Sequence, residues 1–250
     1  MAAQPALAAV VVAKLLNLFN QSNLIKASHF HQTCILYFST RNNSSKSFSS
    51  KKKKTIAVQK LLFKKTLLEI RKTNISFLIS DGLNKDASFA EKIDSAINEA
   101  FLKGFKKIIL IGDDTPQLSA NQLLKAAQSL ENNKLSVGPS TDGGAYLISF
   151  TQQHFKKGIL KDLAWQTEQF YENLLLNIFN QKLAFTRLAE FSDLDTESDI
   201  QQFLKLKPFL KFTQVLYSLC IYQSINAFFC ILIESGYQVA FQNRGPPFIA

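Results

Sequence analysis

Residues 107–119 read KIILIGDDTPQLS: Lys107, four apolar residues, then Gly112, the acids Asp113 and Asp114, Thr115 and Pro116. An apolar run without alternation predicts a strand covered on both faces, as parallel strands between helical layers are. The flanks agree. Upstream, Ser88-Phe-Ala-Glu91 is a capping box, in which serine and glutamate side chains each satisfy a free backbone N–H. Phe89, Ile93, Ile97 and Phe101 then repeat every fourth residue, and Gly104 stands where a helix closes through a left-handed residue. Downstream, Ser119-Ala-Asn-Gln122 opens a second helix that runs to Asn132.

Working outward, Cys34 to Ser39 (CILYFS) reads as a buried strand and Arg41 to Lys54 as a long polar loop. Thr55 to Lys72 has apolar residues at helical spacing with lysines opposite. Ile75 to Ile79, Leu135 to Val137, Ala145 to Phe150 and Leu183 to Leu188 read as strands. Ala164 to Asn180 and Glu197 to Leu206 read as helices. Strands alternating with helices predict a three-layer α/β/α sandwich with a mainly parallel sheet. The boundaries are an N-terminal extension over 1–33, one α/β domain over 34–207 and an apolar C-terminal extension over 208–250. Thr213 to Ile233 lacks charge but contains Gln214, Ser218, Gln223, Ser224 and Asn226, which favours a packed or interfacial helix over a membrane span.

The net charge of +10 is uneven: residues 1–72 hold 13 Lys or Arg against Glu69 alone, leaving 16 basic residues against 18 acids. Clustered ammonium groups there suit a solvated face, phosphate binding or a membrane surface. No stacking-aromatic motif accompanies them, so nucleic acid is not the expected partner. Cys34, Cys220 and Cys230 lack C-x-x-C spacing and lie in apolar surroundings, which predicts reduced thiols and a cytoplasmic protein.

In open α/β sheets, ligands bind beyond the carboxyl ends of the strands. Asp113 and Asp114 stand there, as either an acid-rich turn or oxygen ligands for Mg²⁺ or Mn²⁺ bridging to a diphosphate. Gly138-Pro139 and Asp142-Gly143-Gly144 form a conformationally special loop. Two glycines beside an acid suggest close approach of a ligand or backbone, with Asp142 orienting a hydroxyl or a metal-bound water. In SDLDTESD, residues 192–199, helix capping explains one or two of Asp193, Asp195 and Asp199, and a second carboxylate beside the metal is the sharper alternative.

Taken in order, residues 88–119, VGPSTDGGAYLI (137–148), Trp165-Gln166-Thr167 and SDLDTESDI (192–200) resemble the family catalogued as domain of unknown function 2064. That family is a GT-A-like branch of the nucleotide-diphospho-sugar transferases, related to molybdenum-cofactor guanylyltransferases, and the resemblance runs from Cys34 to Leu206. It implies Asp114 as metal ligand and catalytic group, with Asp195 as second ligand and Asp142 in the catalytic set. It further implies Thr141, Gly143 and Gly144 on the acceptor or sugar side, with Trp165 and Thr167 on a loop near the same cleft. The partners implied are a nucleotide-activated donor and a small-molecule acceptor, in glycosyl or nucleotidyl transfer dependent on Mg²⁺ or Mn²⁺. Relatives grip the nucleotide phosphates with a glycine-containing loop after the first strand. Here Arg41 to Lys54 contains no glycine, and Arg41, Lys46 and Lys51 are the candidates for that charge. A catalytically lapsed binding protein of the same fold is the alternative reading.

Overall fold

The computed structural model describes residues 30, 32–39, 48, 52–80, 87–206 and 211–221. In chain order these form β1 (Thr33–Phe38), α1 (Lys52–Lys72), β2 (Ser76–Ser80), α2 (Phe89–Leu102), β3 (Lys107–Ile111), α3 (Ala120–Glu131) and β4 (Leu135–Pro139). There follow β5 (Ala145–Thr151), α4 (Gln152–Lys156), α5 (Phe170–Asn180), β6 (Phe185–Arg187), α6 (Glu197–Leu206) and α7 (Lys211–Ile221). The strands make one sheet in the order β2-β1-β3-β5-β4-β6. Helical connections keep β2, β1 and β3 parallel, as are β4 and β6. Strand β5 is antiparallel to both neighbours, because the short turn at residues 140–144 can join β4 to β5 only as a hairpin.

Alternate side chains of each strand face opposite helical layers, which makes the three-layer sandwich. Leu36, Phe38, Ile108, Leu110, Ile148 and Phe150 pack against α2 and α5 through Ile93, Ile97, Leu174 and Ile178. On the other face, Ile35, Tyr37, Ile109, Ile111 and Leu147 pack against Ile70 of α1 and Leu123, Ala126, Ala127 and Leu130 of α3. After Thr33 and Lys107, β1 and β3 are therefore apolar at every position, and their hydrophobic pattern has no period of two. Cys34 belongs to this interior, where burial pushes its thiol up to about 12 and leaves it inert as a nucleophile.

Local signals behave as their chemistry requires. Glu91 N–H donates to Ser88 Oγ at 3.3 Å and Ser88 N–H to Glu91 Oε2 at 2.7 Å, while Gly104 takes φ +92°. Ser119 N–H donates to Gln122 Oε1 at 2.9 Å at the start of α3. Helix α5 begins at Phe170 rather than Ala164, because Gln166 takes φ +61° and the Thr167 hydroxyl folds back on Ala164 O at 2.8 Å. The short α4 was not expected. Its start is a third capping box, with Thr151 N–H donating to His154 Nδ1 at 3.3 Å and His154 N–H to Thr151 Oγ1 at 3.2 Å.

Part of the lysine-rich stretch is structural. Lys65 Nζ donates to the carbonyl of Leu118, and burial pulls its pKa down to about 8. Glu69 accepts from Ala120 N–H at 3.0 Å, so one helix caps the N-terminus of another, and it pairs with Lys72 at 2.7 Å. A third, smaller core joins Val58 and Leu62 of α1 to Phe48, Leu194, Ile200 and Phe203 of α6, and Leu216 of α7. Among the described residues no helix is long and apolar enough to cross a membrane. Helix α7 covers the first part of the uncharged stretch from Thr213, and its remainder lies outside the described residues, as do Arg41, Lys46 and Lys51.

Candidate functional site

Strand β3 ends at Ile111, and the chain leaves it through Gly112 into three residues that hold the site together. A Cβ on Gly112 would come within 3.2 Å of Asp114 Oδ1, so that carboxylate folds back over its own strand exit. Asp113 accepts from the Ser39 hydroxyl at 2.9 Å, which fastens the end of β1 to the end of β3. Thr115 is 4 % exposed, and its hydroxyl donates to Asp193 Oδ1 while lying 3.5 Å from Asp114 Oδ1. The backbone completes the link, with Leu194 N–H donating to Asp114 O at 2.9 Å. Two acidic segments separated by about eighty residues of sequence thus meet at the carboxyl end of the central strand, where the topology of such sheets leaves an open crevice.

Electrostatics set Asp193 apart. Burial first, then the charge of Asp114, raise its carboxyl to about 7, with Asp142 adding to the rise and the Thr115 and Ser140 hydroxyls opposing it. Ser140 is 3 % exposed; its hydroxyl faces this carboxylate but falls outside hydrogen-bonding geometry and has no partner. Tyr146 lies close enough that burial and the negative charge of Asp193 together push its phenol up. The ring is held from two sides, stacked on Phe191 at 5.0 Å and bonded through its hydroxyl to Ala189 O at 2.8 Å.

The Gly-Pro and Asp-Gly-Gly elements form the second wall. Gly138 is required by that same ring, since a Cβ there would lie 2.3 Å from Tyr146 Cζ. Ser140 N–H donates to Gly144 O at 3.0 Å, Gly143 N–H to Ser140 O at 3.2 Å, and Gly144 N–H to Asp142 Oδ1 at 2.9 Å. The turn is therefore closed by its own backbone and by the Asp142 side chain. Gly143 takes φ +84°, and a Cβ on it would meet Glu168 O at 2.1 Å. The close approach expected from the paired glycines is made by the 164–169 loop, which passes over the turn and fixes it further through Tyr171 N–H to Gly143 O at 2.9 Å.

Several sequence-predicted residues therefore converge. Asp114 and Asp142 both act electrostatically on Asp193, and Gly143 and Gly144 form the turn, with Thr141 exposed beside them and tied to Phe191 O at 3.0 Å. Trp165 and Thr167 sit on the loop crossing that turn. The Trp165 ring is also a packing residue, 4.6 Å from Phe170 and 5.6 Å from Phe89. Among the three acids of 192–199, Asp199 is the capping one: it accepts from the N–H groups of Thr196 at 2.7 Å and Asp195 at 3.1 Å. Burial works against its charge, but these bonds and the Thr196 hydroxyl hold its carboxyl below the usual range. Asp195 follows two residues after Asp193 at the entry to α6, anchored through Leu194 in the third core. The sequence marked Asp113 beside Asp114 as a candidate carboxylate, but not Ser140 or the pairing of Asp193 with Asp114. The adjacent acids in G-D-D signalled the first, but nothing in spacing alone distinguished Asp193 from Asp195.

The donor set suits a hard divalent cation. Asp114 and Asp193 offer carboxylate oxygens, and Ser140 adds an unpartnered buried hydroxyl. Among the described residues no group of three or more His, Cys, Asp or Glu is arranged as a complete ligand set. One or two carboxylates completed by substrate phosphate and water is the usual arrangement for Mg²⁺.

Comparison with known proteins places the chain. No curated protein matches the sequence. Among solved structures, a protein from Desulfovibrio desulfuricans G20, provisionally described as a nucleotide-diphospho-sugar transferase, superposes with a TM-score of 0.62 at 18% identity, covering 76% of this chain and 96% of that one. The Rv0371c protein of Mycobacterium tuberculosis H37Rv, solved as a complex with manganese, aligns at 12% identity over 69% of this chain and 97% of its own, with a TM-score of 0.42. The first of these carries the fold, which is that of the nucleotide-diphospho-sugar transferases. The family described as "Uncharacterized protein conserved in bacteria (DUF2064)" matches residues 65–167, a span from α1 across β3, the acidic exit and the Asp-Gly-Gly turn to Thr167. Over those residues the chain is similar to that family.

Proposed function

We propose that the protein is a transferase acting on a nucleotide-activated donor, by glycosyl or nucleotidyl transfer, with a divalent metal held at Asp114. The observation that carries this reading is the meeting of Asp114 with the buried Asp193 at the carboxyl end of β3, bridged by Thr115 and within electrostatic reach of Asp142. Two carboxylates held together, one of them buried, repel each other, and a divalent cation relieves that repulsion. Magnesium or manganese bound there supplies positive charge against the donor's diphosphate and its leaving oxygen. Asp195 is the further ligand in this assignment. Its backbone is held by Asp199 at the mouth of α6.

The chain's own groups position the reactants. Thr141 and Asp142 stand on an exposed rim shaped by the Gly143-Gly144 turn, and Asp142 accepts a hydrogen bond from an acceptor hydroxyl and aims it at the donor. Thr167 lies on the loop over the rim, with Trp165 anchoring that loop in the core. Arg41, Lys46 and Lys51 are assigned to the donor phosphates.

Titration calorimetry with Mn²⁺ and a panel of nucleotides and nucleotide sugars tests the proposal. Metal-dependent binding of at least one nucleotide, lost in Asp114→Ala, is expected. No binding to any of them, or Asp114→Ala indistinguishable from the wild type, overturns it. Binding without turnover of any acceptor selects the lapsed form of the same fold, which the lack of glycine in the sequence from Arg41 to Lys54 favours.

A further inference from the structure

Helix α1 carries eight basic residues against one acid, Glu69, and that acid is turned away from solvent toward Lys72 and the N-terminus of α3. Lys65 also points inward, to Leu118 O, leaving a face whose composition is unusual for a solvated helix. At about 100° per residue, Lys53, Lys60 and Arg71 fall within about 20° of one another on the helix circumference. All three are exposed. Ile56 and Leu68 lie about 60° to either side of that line, and they too are exposed, at 39% and 51%. The buried residues Val58, Leu62, Thr66 and Ile70 occupy the opposite side. The exposed stripe spans about 27 Å from Lys53 to Arg71.

We propose that this face of α1 docks on an anionic lipid surface, with Lys53, Lys60 and Arg71 among the headgroups and Ile56 and Leu68 entering the boundary of the acyl layer. Binding at a membrane interface combines attraction of basic side chains to anionic headgroups with burial of apolar side chains at the acyl boundary, and this face offers both kinds. Charge decides the partner's sign: no acid on the exposed stripe offsets the cations, so the face attracts a polyanionic surface and repels a basic one. The exposed isoleucine and leucine decide between polyanions. Phosphate-backbone binding gains nothing from them, and the exposed stripe carries no aromatic ring for bases to stack on. This surface is distinct from the acidic crevice, and the proposal stands whether or not the crevice turns over a donor.

Co-sedimentation of the full chain with vesicles tests it. Vesicles of phosphatidylcholine alone are compared with vesicles containing about a third phosphatidylglycerol, at low and raised salt, with a duplex DNA oligonucleotide as the competing polyanion. The wild type is expected on the anionic vesicles only, with weaker binding at raised salt. Each basic residue near such a surface contributes about fivefold in partitioning, so K53E/K60E/R71E loses about a hundredfold or more. I56S/L68S loses binding severalfold at both salt concentrations. All five side chains are exposed, so both variants are expected to melt with the wild type, and K53A/K60A/R71A gives the same direction with a smaller loss. Failure of the wild type to sediment with anionic vesicles, sedimentation of K53E/K60E/R71E equal to wild type, or DNA binding as strong as vesicle binding and untouched by I56S/L68S overturns the assignment.

Discussion

Replacing Asp193 by asparagine isolates the cost of placing two carboxylates at one strand end. The side chain is buried beside Asp114, and its carboxyl titrates at about 7, against an ordinary aspartate value of about 3.9. The folded state therefore binds this proton more tightly than the unfolded chain does. The sign follows: below about pH 4 both states are protonated and no penalty exists, between about 4 and 7 the penalty grows, and above about 7 it is complete. Three pH units at about 1.4 kcal/mol each set a ceiling of about 4 kcal/mol, of which nearly 3 accumulates between about pH 5 and pH 8. Asp193→Asn keeps the acceptor oxygen for the Thr115 hydroxyl and removes the charge. Urea unfolding in chelator is then expected to show the variant gaining on the wild type from pH 5 to pH 8, by about 2 kcal/mol or more. Asp114→Asn, removing the second-largest cause of the shift, flattens the same profile from the other side. A stability difference between Asp193→Asn and the wild type that does not change over that range, or that moves against the variant, refutes the reasoning.

Other perturbations test the framework around the site. Gly143→Ala places a Cβ against the Glu168 carbonyl at a positive φ, and loses about 3 kcal/mol or more by chemical denaturation. Gly144→Ala meets only the Asp142 side chain at 3.0 Å and loses clearly less. His154 is buried, and burial with the neighbouring Lys157 holds its pKa below the usual histidine value, so folding stability falls as pH drops below about 6.5. His154→Gln keeps a capping-box acceptor without the titration, and its melting temperature should lack that acid slope between pH 6.5 and 5. Glu69→Gln weakens both the Lys72 pair and the tertiary cap of α3, for a loss of about 1 kcal/mol in urea unfolding.

Legibility in the sequence tracked how local each determinant was. The start of α2 was readable because Ser88 and Glu91 satisfy each other's backbone within four residues, and β3 because full burial removes any alternation from its side chains. The reversed strand β5 was harder, since its direction depends on the length of a turn and not on β5 itself. The start of α5 slipped because Trp165 looks like the first apolar residue of a helix. Its ring instead packs between Phe89 and Phe170, and Gln166 bends the chain left-handed to allow it. The lysines of α1 shared one composition, yet Lys65 is buried on a carbonyl while Lys60 faces solvent, a distinction of helix phase set by the neighbouring α3.

At the site, residue types were legible and pairings were not. The sequence shows acids at 113–114, 142 and 192–199, and their recurrence after strands marks the crevice. Which acids meet depends on contacts of long sequence separation. Leu194 N–H on Asp114 O and the Thr115 hydroxyl on Asp193 place residue 193 against the strand exit, while the Asp199 cap turns the chain at 195 into α6. Leu194, next to Asp193, is buried in the third core with Phe48 of the chain's earlier part and Leu62 of α1. An apolar contact with a helix more than a hundred residues earlier therefore helps hold Asp193 beside Asp114, and Leu194→Ala should disturb the Asp193 titration without touching a charged group.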